Sequence, residues 1–370
     1  MRFSIRSAML TSDLHFDLPD ECIAQSPAEP RDASRLLVHD RASGQASHHR
    51  FRDLPDLLPA GTRLFRNDVA VLAARLPGQR ATGGKVECLL LRPAKGAANT
   101  EADPPPGLWH CLLKPGAKTA KAGAFGLPDE YQAVVHETLP TGEYLVSFDH
   151  PHDTDVPALA QRLGSMPLPP YVKRPADSSD AERYQTVYAD PAKRTAAAAP
   201  TAGLHFTTAL LEKLRRRGHA LHDLSLSVGL GTFRPIETER VEDHPMHAES
   251  YLLPPETKVA LRKEGPPRLA VGTTTVRAIE HHLAQGPDPH PAYATLGEAD
   301  LFIRPGEHVF QGTDALLTNF HLPGSTLLCL VAAFLSPKEG EGLPLLKDLY
   351  AQAIAAEYRF YSYGDAMLLT

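Results

Sequence analysis

The sequence predicts an α/β protein that is interrupted by a small all-β region. Between about residues 75 and 149, short β-rich runs alternate with Gly, Pro and Thr-Gly turns, which is typical of a small antiparallel barrel or sandwich. On both sides of this region, single strands alternate with helices, as in α/β domains. We therefore divide the chain into a main domain of residues 1–74 and 153–370 and an inserted domain of residues 75–152.

The elements around the insertion are predicted from caps and apolar runs. One helix begins at Thr207 or Thr208, either of which can cap it, and ends before Gly218, which suits the turn beyond a helix. Its acidic residue comes early and its arginines come late, in agreement with the helix dipole. The other predicted elements are strands over residues 36–39, 221–228, 269–271 and 316–320, a helix from residue 276 and a helix over residues 346–358.

Composition and charge exclude several classes of protein. The chain of 370 residues is 42% hydrophobic and 22% charged, which excludes a disordered protein. Its 38 basic and 44 acidic residues give a net charge of −6, so no overall basic field attracts nucleic acid. Any RNA contact must use a local patch, and the insertion offers one that includes Arg80, Lys85 and Arg92.

Cysteine spacing and hydropathy indicate the compartment. The four cysteines lie far apart and form no CxxC pair, which argues against a zinc ribbon and a disulfide framework. The longest apolar run, residues 327–335, is about half of the length that a membrane span needs. We expect a cytoplasmic protein with no membrane segment.

Two segments place glycine directly after a predicted strand. In one of them a helix start follows, and in the other a second glycine follows. Residues 271–277 read Val-Gly-Thr-Thr-Thr-Val-Arg, and the free N–H groups at such a helix start bind carboxylate or phosphate. The threonines could equally serve only as helix caps. Residues 228–233 contain Gly229, Gly231 and Thr232 after a predicted strand, where α/β proteins place ligands, although a GxG pattern alone is a weak signal.

Three further segments contain groups that can exchange protons. In residues 200–207, Gly203 allows close approach to the backbone and His205 titrates near neutral pH, although a plain surface turn explains this segment nearly as well. Residues 243–249 contain two histidines and two carboxylates, for which an acid/base pair fits better than a metal because Pro245 prevents a regular helix. A solvated loop is the alternative. In residues 318–326, strand alternation places Asn319 and His321 on one side.

Taken in order, these segments resemble the S-adenosylmethionine:tRNA ribosyltransferase-isomerase family of queuosine biosynthesis. The resemblance runs nearly from end to end, and its specificity comes from many long strings in one order. The strings are residues 23–25, 31–37, 82–87, 167–171, 184–188, 199–206, 243–249, 271–277, 318–326 and 358–367.

The resemblance implies an α/β main domain with an inserted small antiparallel β-barrel domain. It also implies the reaction: the ribosyl part of S-adenosylmethionine moves to 7-aminomethyl-7-deazaguanine at the tRNA wobble position. The products are epoxyqueuosine-tRNA, adenine and methionine. S-adenosylmethionine is then a substrate, and the resemblance implies neither a metal nor another cofactor. We expect tRNA as the partner and a monomeric state.

On these grounds we assign candidate roles to individual residues. The candidate catalytic residues are His205, His247, Glu249, His321 and Asp365. The candidate substrate-binding residues are Arg35, Thr201, Gly203, Gly229, Gly231, Thr232, His244, Thr273, Thr274, Thr275, Arg277, Asn319 and Tyr363. The candidate tRNA-binding residues are Arg80, Lys85 and Arg92.

The chain departs from the family pattern at several polar positions. Val69 and Ala70 stand where the family has Thr and Arg, Ser227 stands where it has His, and Thr195 stands where it has Gly. Lost contacts relax substrate choice most easily. The alternatives are therefore a diverged enzyme that passes the ribosyl group to another acceptor, and a non-catalytic nucleoside- or RNA-binding protein with the same fold.

Overall fold

A computed structural model describes residues 9–94, 107–227, 229, 235–246, 248–338 and 340–370. The described residues form seventeen strands: β1 (Arg35–Asp40), β2 (Gln45–Arg50), β3 (Arg63–Asn67), β4 (Val69–Val71), β5 (Arg75–Gln79), β6 (Lys85–Pro93), β7 (Leu108–Lys114), β8 (Ala124–Leu127), β9 (Tyr131–Thr138), β10 (Tyr144–Asp149), β11 (Asp190–Ala196), β12 (Ala220–Leu226), β13 (Glu249–Leu253), β14 (Arg268–Val271), β15 (Thr295–Ala299), β16 (Ala315–Asn319) and β17 (Ala366–Leu369). They also form nine α-helices: α1 (Leu54–Leu57), α2 (Gly116–Ala122), α3 (Val156–Leu163), α4 (Asp180–Arg183), α5 (Thr208–Arg216), α6 (Pro255–Arg262), α7 (Thr273–Ala284), α8 (Thr326–Leu335) and α9 (Gly342–Ala355).

The main domain is built on one mixed sheet of nine strands. Their order is β15-β13-β12-β3-β14-β16-β17-β1-β2. The four central strands β12, β3, β14 and β16 are parallel to their neighbours in this group. Their carboxyl ends therefore lie along one edge of the sheet, which is where α/β proteins place ligands.

Alternating apolar residues let the sheet pack on both faces. Leu64 and Leu269 belong to one apolar cluster with α5, whereas their chain neighbours Phe65 and Ala270 belong to another cluster with α7, α8 and α9. Because successive side chains of a strand point to opposite faces, these runs bury both sides of the sheet. The sheet thus lies between two layers of helices, as expected for the α/β main domain.

The helix predicted after the insertion is confirmed as α5. The Thr207 side chain accepts a hydrogen bond from the Leu210 N–H at 3.1 Å, and Gly218 has a φ of +82° beyond its end. Helix α7 differs from the prediction because it begins at Thr273, directly after Gly272, and not at residue 276. Its N-cap residue is Gly272, whose φ of +91° favours glycine.

The inserted region is a closed antiparallel barrel with the strand order β10-β7-β6-β5-β8-β9. Closure decides between the barrel and the sandwich that the strand spacing allowed. Inward-facing apolar side chains fill it, including Leu76, Cys88, Trp109, Phe125 and Phe148. The fold class is therefore confirmed, while the division of the chain at residues 74 and 152 stays a prediction.

The two ends of the insertion leave the main domain side by side. Arg75 at the start of β5 and Ser165 beyond α3 exchange two backbone hydrogen bonds, of 3.2 and 3.0 Å. Helix α3 packs Val156, Leu159 and Ala160 into the apolar core of the barrel. Strand β4, just before the barrel, forms a separate parallel pair with β11.

Candidate functional site

A cleft with both apolar and polar lining residues lies at the carboxyl ends of β14 and β16. Its empty volume is about 630 Å³. We call it the strand-end cleft. Five of the predicted site residues, which come from three separate motifs, line it together: Thr201, Thr273, Thr274, Asn319 and His321.

The start of α7 supplies backbone and hydroxyl groups to this cleft. Thr273 and Thr274 line it, whereas the Thr275 hydroxyl donates to the Val271 carbonyl oxygen at 2.7 Å and is buried. The N-cap is Gly272, which has no side chain, so the threonines are not used as the cap. An anion in the cleft would meet the positive end of the α7 dipole.

The orientation of the Asn319 amide follows from its neighbours. One terminal atom of this buried side chain lies 3.3 Å from the Tyr361 carbonyl oxygen and 3.1 Å from Nε2 of His205. Because a carbonyl oxygen only accepts, that atom is Nδ2, which donates to both. The other atom, Oδ1, is buried and has no hydrogen-bond partner among the described residues. Asn319 therefore has one acceptor left for a ligand of the cleft.

His205 lies behind Asn319 and does not line the cleft. Its Nδ1 is 2.8 Å from the Ser34 hydroxyl oxygen, and its ring stacks on Phe51 with centroids 4.9 Å apart. Burial, with smaller contributions from Arg359 and Arg31, lowers the pKa of His205 to about 3. The ring is therefore neutral at pH 7. Since Nε2 accepts from Asn319, Nδ1 carries the proton and donates to Ser34.

His321 is the imidazole that lines the cleft. Its Nε2 lies 2.9 Å from the Thr318 hydroxyl oxygen, and its backbone N–H donates to the Tyr350 hydroxyl oxygen at 2.9 Å. Burial lowers the pKa of His321 to about 3. A neutral imidazole beside bound substrate can accept a proton.

Stability should depend on pH through His205. The pKa of His205 falls from an ordinary value of 6.5 to about 3 on folding, so the unfolded chain binds the extra proton between these values. Its contribution is present above pH 6.5 and is lost as the pH falls towards 3. Between pH 6.5 and 4.5 we expect a loss of about 2 kcal/mol from this residue. Urea unfolding of the wild type and His205→Gln at both pH values measures it; equal losses in the two proteins would contradict the assignment.

A second group of predicted residues surrounds a buried ion pair. Oε2 of Glu249 lies 2.5 Å from Nη1 of Arg277, and the two residues are only 6% and 5% exposed. Arg277 also donates to the Ala299 carbonyl oxygen at 2.8 Å, and the Gly229 N–H donates to Oε1 of Glu249 at 3.3 Å. The pair joins α7 to strands β13 and β15. These residues do not belong to the lining of the strand-end cleft.

His244 lies five residues before Glu249 in the chain. The His244 ring makes an edge contact with Phe302, with centroids 6.2 Å apart. Gly231, Thr232 and His247 lie outside the described residues.

Four more predicted residues do not belong to the lining of the cleft: Arg35, Gly203, Tyr363 and Asp365. The buried Asp365 carboxylate accepts from the backbone N–H groups of Arg35 and Arg359, each at 2.8 Å, and so joins β1 to the C-terminal segment. The Tyr363 hydroxyl donates to Asp180 at 2.7 Å. Gly203 is required by packing, because a Cβ there would lie 2.1 Å from the Tyr188 hydroxyl oxygen.

Of the three predicted tRNA-binding residues, two lie at one hairpin of the barrel. Arg80 and Lys85 flank the turn between β5 and β6, where Lys85 is exposed. Arg92, in contrast, donates to both carboxylate oxygens of Glu143, at 3.1 and 2.8 Å. The charge of Arg92 is therefore largely neutralised within the barrel.

Sequence reasoning missed several contributors to the cleft and its support, among them Ser325, Tyr361 and Ser34. Ser325 lines the cleft, and its buried hydroxyl has no hydrogen-bond partner among the described residues. Tyr361 lines it in the positive-φ region at +72° and accepts from Asn319. Ser34 lies behind His205. All three belong to strings that carry the family resemblance, which was the available signal.

The departures from the family pattern also lie near one another. The Thr195 and Ser227 hydroxyl oxygens, at two of these positions, are 2.8 Å apart. Ala70 is the register partner of Arg194 in the β4–β11 pair.

In the part of the chain that the structure describes, no group of three or more His, Cys, Asp or Glu residues could hold a metal. No helix there is long and apolar enough to cross a membrane.

The fold and the site define a class of α/β proteins in which a closed barrel is inserted into a domain with a cleft at its strand ends. The chain belongs to the queuosine biosynthesis protein family, whose model matches residues 11–369. It is similar to the crystal structure of S-adenosylmethionine tRNA ribosyltransferase from Thermotoga maritima, with 33% identity and a TM-score of 0.52. That similarity covers 97% of this chain and 100% of the other.

Curated relatives agree over the full length. The protein from Geobacter sulfurreducens is 44% identical, over 98% of this chain and 100% of its own. The protein from Symbiobacterium thermophilum is 45% identical, also over 98% of this chain and 100% of its own. Both relatives are named S-adenosylmethionine:tRNA ribosyltransferase-isomerase.

Proposed function

We propose that this protein is an enzyme that transfers and isomerises the ribosyl group of S-adenosylmethionine onto 7-aminomethyl-7-deazaguanine at the wobble position of tRNA. The products are epoxyqueuosine-tRNA, adenine and methionine. The observation that carries the proposal is the strand-end cleft, in which five residues of the family motifs meet. Relatives of the same length share one activity name, which does not favour another acceptor or a non-catalytic role.

This reaction makes specific demands on the cleft. The sulfonium acidifies the neighbouring 5′ C–H, a base removes that proton, adenine leaves with a proton, and the tRNA amine attacks the 1′ carbon. Methionine then departs as the epoxide closes. At least one base and one acid are required. Among the described residues that line the cleft, His321 is the candidate base because it supplies the imidazole there. Burial keeps this imidazole unprotonated at neutral pH, and the same low pKa makes it a weak base.

The remaining lining suits the other parts of S-adenosylmethionine. The start of α7, with Thr273 and Thr274, can accept the methionine carboxylate. The acceptor Oδ1 of Asn319 suits a ligand N–H, such as the adenine amino group or the methionine ammonium. His205 holds the Asn319 amide in this orientation and is a positioning residue in this proposal.

Other properties of the enzyme complete the proposal. S-adenosylmethionine is the second substrate, and no further cofactor takes part. Arg80 and Lys85 on the barrel hairpin contribute to the tRNA contact. The four free cysteines fit a reducing cytoplasm, and we propose a cytoplasmic monomer.

The decisive experiment incubates the purified protein with S-adenosylmethionine and tRNA that carries the aminomethyl-deazaguanine. Mass analysis of digested nucleosides should find epoxyqueuosine, and free adenine should appear in equal amount. The control is the same tRNA with unmodified guanine, which lacks the attacking amine and should yield no product. Adenine without modified tRNA would indicate another acceptor, and no adenine at all would contradict an enzymatic role.

A further inference from the structure

A second cleft lies beside the junction of the main domain and the barrel. Its empty volume is about 1110 Å³, compared with 630 Å³ for the strand-end cleft. We call it the junction cleft. Its lining comes from β4, from the segment after α3 and from residues 176–194. It shares no lining residue with the strand-end cleft. A group bound here would therefore contact other residues than a group bound beside Asn319.

One cation of the junction cleft, Arg194, has no counter-charge among the described residues. The structure shows no hydrogen bond or ion pair from Arg194 to any described residue, and its Nε is buried without a partner. The register partner of Arg194 is Ala70, whose methyl group cannot neutralise a guanidinium. The next residue, Lys193, differs, because it lies 2.5 Å from the Asp68 carboxylate. Burying part of an arginine without an acceptor is costly, so this side chain is suited to an external acceptor.

A buried hydroxyl lines the same cleft. Thr186 is only 5% exposed, and its Oγ1 has no hydrogen-bond partner among the described residues. The acidic lining residue Asp177 is already engaged, since one of its oxygens accepts from the Ser179 N–H at 2.8 Å and from the Ser179 hydroxyl at 2.6 Å. Its other oxygen lies 3.4 Å from Arg174. The Arg194 guanidinium and the Thr186 hydroxyl are thus two unused donors in one cleft. Together they suit an anion with several oxygen atoms, because a guanidinium can donate two parallel hydrogen bonds.

We propose that the junction cleft binds a backbone phosphate of the tRNA substrate through Arg194 and Thr186. This inference rests on the proposed function, which supplies an RNA partner. The other anion of the reaction is the methionine carboxylate. Phosphate is favoured because the strand-end cleft already offers the α7 start to that carboxylate and shares no lining residue with the junction cleft. Charge from Arg194 also supplies a local cation to a chain whose net charge is −6.

The test measures binding of an unmodified transcript of the substrate tRNA over a series of salt concentrations. Arg194→Ala should weaken binding roughly tenfold, and the slope of log affinity against log salt should decrease by about 0.7–0.9, the value for one lost phosphate contact. Thr186→Val should weaken binding without changing the slope, because a hydroxyl carries no charge. Thr186→Ser should restore it.

The matched control is Arg215→Ala, which removes the same charge from an exposed position on α5. Its tRNA affinity should stay within twofold of the wild type. If Arg194→Ala behaves like Arg215→Ala, the proposal is wrong. It is also wrong if Arg194→Ala weakens S-adenosylmethionine binding and leaves tRNA binding unchanged, since the anion is then the carboxylate. A wild-type protein that binds no tRNA would overturn the proposed function itself, before any variant is compared.

Discussion

Asn319→Ala is expected to lower kcat/KM for ribosyl transfer by about 10²-fold or more. The substitution removes Oδ1 of Asn319, the acceptor of this amide that is not used within the protein. A ligand N–H group in a buried site then has no partner, and the ligand is held less precisely for the reaction. It also leaves Nε2 of His205 without its donor. Single-turnover rates of epoxyqueuosine formation, with melting temperatures to verify folding, measure the effect. A rate within threefold of the wild type would contradict this role for Asn319.

The same experiment separates positioning from catalysis at His205. If His205 acts only through Asn319, the double variant Asn319→Ala/His205→Ala should be no slower than Asn319→Ala alone. If the imidazole exchanged a proton with substrate, the two losses would multiply. His205→Gln serves as the conservative control, because a side-chain carbonyl can still accept from Nδ2 of Asn319 and should retain most activity.

Breaking the buried pair should produce the largest loss of stability. Arg277→Met is expected to lower the free energy of unfolding by about 3–5 kcal/mol, because it leaves the Glu249 carboxylate buried without its guanidinium. The midpoint and slope of urea denaturation, followed by circular dichroism, give the change.

Two further variants show whether the loss comes from the uncompensated charge. The exposed pair of Arg216 and Glu212, with side chains 69% and 58% exposed and 3.8 Å apart, provides the comparison. Arg216→Met should change stability by less than about 0.5 kcal/mol. Glu249→Gln combined with Arg277→Met should recover part of the loss, because no charge is then left alone. A loss below 1 kcal/mol in Arg277→Met would disprove the argument.

Local signals in the sequence predicted the elements well. The cap at Thr207 and the stop at Gly218 bounded α5 because both act within a few residues of the chain. Turn residues between short strands predicted the inserted β region. The start of α7 was predicted three residues late, because Gly272 and not a threonine is its N-cap.

The grouping of residues into sites was predicted only in part. Asn319 is the last residue of β16 and His321 follows two residues later, and both line the cleft, as the alternation predicted. The sequence marks His205 as titratable but cannot show that Ser34, 171 residues away in the chain, and Asn319 occupy both its nitrogens. Asp365 likewise proved to hold the backbone N–H of Arg35, 330 residues away in the chain, together with that of nearby Arg359. Contacts of this kind are set by tertiary packing, which no local pattern encodes.

The paired backbone hydrogen bonds between Arg75 and Ser165 have a consequence for the order of folding. They bring together residues that are about 90 positions apart in the chain. Closing a flexible loop of that length costs about 4 kcal/mol of entropy. If the barrel folds first, the entropy of closing this loop is lost during the folding of the barrel. Strands β3 and β12 can then pair with a much shorter flexible segment left between them. The inserted domain thus holds together the two parts of the chain that form the main domain.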